Sequence, residues 1–258
     1  MTMDTGILTH QYFPTDPRLG RHMELDARSL AYALTPEDLT TLIMPAEHVP
    51  LIPILDQGNT GSCTGNAGTY AVAALYDLRY REIHLDEEHI IYGDGRLDGD
   101  ASHDEGFAVE LYHLATHKDG IRGLFPPDDS GSTGLGVCRA LKSAGLISRY
   151  RWALSLRGMA VLLQSGGVMM GMPWYQAMFT PDEGGFIDSG DWQDSGLAGG
   201  HELYVEALES WDEERPEESV FRIRNSWGAS WGDAGRCRMR GATYLALKHE
   251  IDVKQILS

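Results

Sequence analysis

One stretch constrains this chain more than any other: Gln57-Gly58-Asn59-Thr60-Gly61-Ser62-Cys63-Thr64-Gly65-Asn66-Ala67. A proline-punctuated approach (Pro45, Pro50, Pro53) runs into the polar turn Asp56-Gln57-Gly58. Small and apolar residues then recur at Ala67, Ala71, Ala74, Leu75 and Leu78, a spacing that predicts a helix from Cys63 to Tyr80 or Glu82. Cys63 then stands in the first helical turn, where free N–H groups and the macrodipole favour negative charge. Such placement lowers a thiol's pKa toward the nucleophilic thiolate. Gln57, across a glycine-rich turn, can present its side-chain amide beside the sulfur as an oxyanion donor. A lone helical cysteine is by default a small buried hydrophobe, so a base and an orienting group must come from elsewhere in the chain.

The totals bound the classes. A chain of 258 residues is long enough for one large domain or two small lobes sharing a cleft. A net charge of −17 argues against nucleic acid or an anionic membrane as the main partner. It favours solubility and basic substrates, although a global charge does not describe a local cleft. Cys63, Cys138 and Cys237 form no framework and are expected as reduced thiols. The start, Met1 to Leu8, lacks a basic region and an apolar core, so no secretory signal is read and the chain is expected to be cytoplasmic as synthesised. No apolar run approaches the ~20 residues that span a bilayer.

Residues 1–49 are polar and broken by Pro14, Pro17 and Pro36, and read as an arm on the domain or a short pro-segment. Within them, Thr35-Pro36-Glu37-Asp38 reads as the start of a short helix. Residues 84–106 read as a solvated loop. Asp98, Asp100, Ser102 and Asp104 alternate as a calcium loop does, but His103 and Val109 stand where such a loop needs Gly and Glu, which argues against calcium. Helices are expected over Phe107–His117, around Val137, Cys138, Leu141 and Leu146, and over Leu156–Gln164; Val168–Met172 reads as a buried strand. Cys138 reads as core. Pro173–Gly200, rich in Gly, Asp and aromatics, reads as cleft-forming loops.

The second half alternates. His201–Leu208 and Val220–Arg224 flank the acidic turn 212–218, a hairpin signature. Arg236–Arg240 continues the alternation, with Cys237 on one strand face and three arginines on the other, pointing outward. His201 follows Gly199-Gly200 at the start of one strand, and Asn225 ends its partner, so the two can meet. An Asn carbonyl holding one imidazole nitrogen leaves the other facing a thiol, giving nucleophile, base and orienter.

These blocks together resemble the papain-like cysteine peptidases. The matching residues are Gln57-Gly58 with Gly61-Ser62-Cys63, then Ser130-Gly131-Ser132, Gly200-His201, and Asn225-Ser226-Trp227-Gly228 with Trp231-Gly232-Asp233. They occur in the family's order over roughly residues 50–242. His201 follows Cys63 by 138 residues and Asn225 by 162, against roughly 130–150 expected; the acidic turn accounts for the excess. The resemblance implies an α+β, two-lobe fold: a helical lobe (about 55–155) carrying Cys63 faces a strand-rich lobe (about 156–258) carrying His201 and Asn225. It implies Cys63 as nucleophile, His201 as acid and base, Asn225 as orienter, and Gln57 with the Cys63 amide as the oxyanion hole. Trp227 would shield the His–Asn bond, and Gly131, with Ser132 and Gly200, would meet substrate backbone. Two departures stand out. Thr60 replaces a usual cysteine, removing a disulfide, and Thr64 replaces an aromatic beside the nucleophile. The flavour is that of bacterial or bacteriophage-type members; a phage-encoded chain would be virion-associated or released.

The expected activity is therefore endopeptidase hydrolysis of a peptide or protein through a Cys63 thioester, with no metal and no cofactor. Two other readings stay open: a non-catalytic peptide-binding or assembly protein on the same fold, and acyl transfer or deamidation by the same residues. His201-Glu202 is no zinc signature, because Val205 stands where a second His would be needed, and loop 130–136 lacks the Lys of a phosphate loop.

Overall fold

The computed structural model describes residues 6–79, 81–85, 91 and 93–258. Strands β1 (Ile7–His10), β2 (Arg21–Asp26) and β3 (Ala46–Glu47) precede helix α1 (Cys63–Leu75). A small hairpin of β4 (Ile83–His84) and β5 (Arg96–Leu97) leads to α2 (Ala101–Thr116). Then come β6 (Ser132–Thr133), α3 (Gly134–Ser143), β7 (Arg149–Ala153) and α4 (Leu156–Leu162). The rest is β8 (Val168–Tyr175), β9 (Leu197–Ser210), β10 (Val220–Arg224), β11 (Arg236–Arg240), α5 (Gly241–Leu247) and β12 (Asp252–Leu257). The fold is α+β. The main sheet runs in the order β11-β10-β9-β8-β12-β7, with β3 also on β9.

Two apolar cores divide the molecule. One lies on the sheet with α4 and α5, around Met159, Met170, Trp174, Leu203, Phe221 and Val253. The other lies among α1, α2 and α3, around Ala67, Val72, Phe107, Leu111, Val137 and Leu141. Cys138 is buried in that second core and Cys237 in the first, both as free thiols. Among the described residues no helix is long and apolar enough to cross a membrane.

Several elements differ from the sequence expectation for local reasons. Helix α1 stops at Leu75 because Tyr76 turns extended, and the Asp77 carboxylate then takes the Arg79 amide at 3.2 Å, a side-chain turn that competes with helix. Of the expected helix end, Tyr80 lies outside the described residues. Helix α2 begins at Ala101, inside the stretch read as loop, because Asp100 caps it by accepting from the Ser102 amide at 3.0 Å. Buried Asp104 accepts from the amides of Asp98 and Gly99 at 3.1 Å each. The acidic alternation thus belongs to a helix start. Strand β8 runs on to Tyr175, with Pro173 opposite Gly200, so the loop wall begins later than Pro173. Arg149–Ala153, assigned by sequence to the helical half, is the edge strand of the sheet beside β12. The arginines of β11 do share a face, but they are half-buried and ion-paired: Arg236 with Glu206, Arg238 with Glu209 and Arg240 with Asp188.

Residues 6–49 lie along the body. β1 pairs antiparallel with β2, β2 runs parallel to β6, and β3 pairs with β9. Thr35 and Asp38 exchange hydrogen bonds before a single 3-10 turn at Asp38–Thr40.

Candidate active site

Cys63 opens α1 and is fully buried, with Ser62 as cap. The turn before it is held from both halves. The Gln57 amide N–H donates to the Ser226 carbonyl at 2.9 Å, and the Gly228 N–H donates to the Leu55 carbonyl at 3.0 Å. The Gln57 side chain accepts from the Ser226 hydroxyl at 2.6 Å and donates to the carbonyls of Thr60 (2.6 Å) and Arg18 (3.0 Å).

His201 sits in β9 opposite Met172, and Asn225 follows the last residue of β10. The hairpin brings them together: His201 Nε2 lies 2.7 Å from Asn225 Oδ1, while Nδ1 has no hydrogen-bond partner among the described residues. Asn225 Oδ1 also accepts from the Ser226 N–H at 2.8 Å. Trp227 covers the imidazole, its ring stacked at 4.8 Å and 29°. Trp174 meets the same imidazole edge-on at 5.0 Å. Phe179 and Trp231 close around Trp227, at 5.3 Å each. The rings pack on one face and one edge of the imidazole, and both His201 and Asn225 are buried.

Two tyrosines with no sequence signal tie this machinery together. Tyr70, on the third turn of α1, accepts from the Leu55 N–H at 2.6 Å and donates to the Asn225 carbonyl at 3.0 Å. Tyr112 on α2 accepts from the Gly131 N–H at 2.9 Å and donates to Asp129 at 2.7 Å, whose other oxygen takes the Gly61 N–H at 2.9 Å. Either tyrosine reads in sequence as helical core, so only its hydroxyl, invisible to periodicity, could have marked it.

The cleft is not open. The chain's own residues 15–22 cross it. The Thr15 N–H donates to the Ala198 carbonyl at 2.8 Å, and Arg18 lays its guanidinium 4.3 Å from the Trp227 ring centroid. Gly20 bridges Gly200 in parallel, and its carbonyl accepts from the Ser132 N–H at 2.8 Å. A Cβ on Gly20 would overlap the Gly61 carbonyl, and one on Gly131 would overlap the Gly20 carbonyl. His22 Nε2 lies 2.8 Å from the Ser130 carbonyl, while its Nδ1 accepts from the Tyr12 N–H at 3.1 Å. Gly200, Gly131 and Ser132, read from sequence as substrate-facing, lie here against Gly20 of the same chain.

Burial governs the titration of the pair. It pushes the Cys63 thiol up to about 12, against the backbone amides of Glu202, Gly20 and Thr64, which favour the thiolate. It pulls the His201 imidazole down to about 4, aided by the Arg18 charge and opposed by the hydrogen bond to Asn225. Covered, the two groups are a neutral thiol and a neutral imidazole.

No protein-family model matches the chain, and no curated protein matches it. Solved structures do. Xylellain, a cysteine protease from Xylella fastidiosa, aligns at TM-score 0.61 and 17% identity over 96% of each chain. Procathepsin B S9 from Trypanosoma congolense aligns at 0.56 and 12% over 87% of this chain and 82% of that one. Procathepsin L2 from Tenebrio molitor larval midgut aligns at 0.54 and 16%, over 95% and 81%. The chain has the papain-like cysteine protease fold.

Proposed function

We propose that the chain is a thiol-dependent peptidase whose described form is latent, with residues 15–22 acting as an inhibitory segment over the cleft. The observation that carries the reading is the 2.7 Å His201 Nε2–Asn225 Oδ1 hydrogen bond under Trp227, which leaves Nδ1 as the only nitrogen free for a proton. With the segment displaced, water and the helix N-terminus favour thiolate and imidazolium over the neutral pair. The Cys63 thiolate attacks a peptide carbonyl carbon, forming a C–S bond and an oxyanion. That oxyanion is held by the Gln57 side-chain amide and the Cys63 N–H. His201 gives its proton to the departing amine as the C–N bond breaks, leaving a thioester. His201 then takes a proton from water, whose oxygen attacks the thioester carbonyl; the C–S bond breaks and the carboxylate leaves. Asn225 holds the ring in one orientation throughout, and Trp227 keeps water off that bond.

Cys63→Ala should abolish both peptide hydrolysis and covalent labelling by a thiol-directed epoxide. Hydrolysis that survives the substitution overturns the reading. Product analysis with an added amine separates hydrolysis from acyl transfer: a new amide in place of acid indicates the latter.

A further inference from the structure

We propose that Arg21 is the chain's own occupant of an arginine-selective substrate pocket, a buried acidic recess under the covering segment walled by Glu202, Asp252 and Gly171. The proposal deepens the peptidase reading and rests on it.

Arg21 follows the glycine that lies against Gly61, and it is fully buried. Its Nη2 lies 2.5 Å from Asp252 Oδ1 and donates to the Glu250 carbonyl at 2.9 Å; Nη1 donates to the Tyr12 hydroxyl at 3.1 Å. Its Nε stands 4.0 Å from Glu202 Oε2. Glu202 immediately follows His201 on β9, so one wall of the recess is built by the neighbour of the imidazole.

The sheet makes the recess. Gly171 on β8 stands opposite Glu202 of β9 on one side and Asp252 of β12 on the other. A Cβ there would lie 2.5 Å from both Arg21 Nε and Glu202 Oε2. The missing side chain, flanked by Met170 and Met172 in an otherwise bulky strand, is the volume that the guanidinium fills.

Charge says what the recess wants. Its sheet-borne groups are two carboxylates, Glu202 and Asp252, and one ammonium, Lys254, which is paired to Asp252. Arg21 completes neutrality, and it comes from the strand blocking the cleft, not from the sheet. Both Glu202 oxygens, fully buried, lack a hydrogen bond among the described residues. Burial pushes this carboxyl up to about 7, with Lys254 and Arg21 acting against the rise. Once the segment leaves, Glu202 loses the cation that opposes its protonation, and its two buried oxygens, which lack a hydrogen bond among the described residues, must take up a proton, water or a new guanidinium. A planar guanidinium with donors on several edges suits two carboxylates and a carbonyl better than an ammonium or an apolar side chain. The same contact therefore serves twice, as the latch that holds the segment and as the preference of the open cleft for arginine.

The test uses the full chain with Arg21→Met, which keeps the stem and removes the charge, and Arg21→Lys, which keeps a charge. Labelling of Cys63 by a small epoxide is followed with and without Ac-Gly-Arg-Gly-NH2, Ac-Gly-Leu-Gly-NH2 or Ac-Gly-Glu-Gly-NH2. Arg21→Met should label at least about tenfold faster than wild type, with Arg21→Lys in between and both melting cooperatively. The arginine peptide should slow labelling of Arg21→Met in a saturable way, and the leucine and glutamate peptides should not. Adding Asp252→Asn should erase that difference. Labelling at the wild-type rate in Arg21→Met, or equal protection by arginine and leucine peptides, overturns the proposal. Rapid labelling and peptide cleavage without arginine preference sinks the pocket and spares the peptidase. Arginine-selective protection with no cleavage of any peptide does the reverse.

Discussion

The side-chain amide of Gln57 donates to the carbonyl of Arg18 at 3.0 Å, so the donor suited to an oxyanion is satisfied by the chain itself. Its second hydrogen goes to Thr60 and its oxygen accepts from Ser226, which leaves it no freedom to turn. In an uncovered variant, Gln57→Ala should lower kcat by about 10²–10³-fold while leaving epoxide labelling of Cys63 intact. Steady-state kinetics and mass spectrometry on the same samples check both halves. A parallel loss of labelling would show that Gln57 shapes the thiol's surroundings instead.

Gly20→Val supplies that uncovered variant. Its Cβ would overlap the Gly61 carbonyl, and backbone on both sides leaves no flexible group to yield. The segment must lift, taking Leu19 out of the sheet core at a cost of about 2 kcal/mol. Labelling of Cys63 should quicken by an order of magnitude or more. Far-UV circular dichroism should change little, because the ladders that join β7 to β12 and helices α1, α2 and α3 lie outside residues 15–22.

The pH response follows from the direction of two shifts. In the covered form the thiol lies at about 12 and the imidazole at about 4. Between those values both are neutral, and the thiolate fraction grows only as pH rises toward the upper one. Wild-type labelling should therefore climb through pH 9 and 10 without a plateau. In Gly20→Val the climb should begin well below the free-thiol value of about 8.5. Identical profiles for the two proteins would mean that the segment does not set the thiol's environment.

Glu206 is the anion that three arginines of β10 and β11 share. Its buried carboxylate meets Arg222 and Arg236 at 2.8 Å and Arg224 at 3.2 Å. Glu206→Gln leaves these guanidinium groups without their shared anion and should destabilise the fold by about 3–5 kcal/mol. Urea denaturation at neutral pH measures it, and a change below about 1 kcal/mol would show that solvent and Glu209 compensate.

The placement of the candidate residues is legible in the sequence where they lie on regular elements. Alternation over His201–Leu208 and Val220–Arg224 defines a hairpin, and a hairpin brings the start of one strand to the end of the next, hence His201 to Asn225. The small-residue period after Cys63 defines α1. Residues 15–22 give no such signal: Thr15, Gly20 and His22 bind distant backbone through their own backbone, one hydroxyl and one ring, and such pairing leaves no mark on composition. The acidic composition also hides Glu202, Asp252 and Lys254, which adjacent strands β9, β8 and β12 bring together, and Arg21, which β2 carries to them.

The covering strand is tied down at both ends, upstream through Thr15 on Ala198 and downstream through β2 on β6 and β3 on β9. Its hold on the cleft is therefore unimolecular, with a local concentration of order millimolar for a short tether. Diluting the protein cannot switch it on. A cut on the N-terminal side of Thr15 would leave the strand anchored to the body through residues 23–49, ready to reseat. A peptide copying these residues and supplied from outside would have to reach that millimolar scale to do the same work.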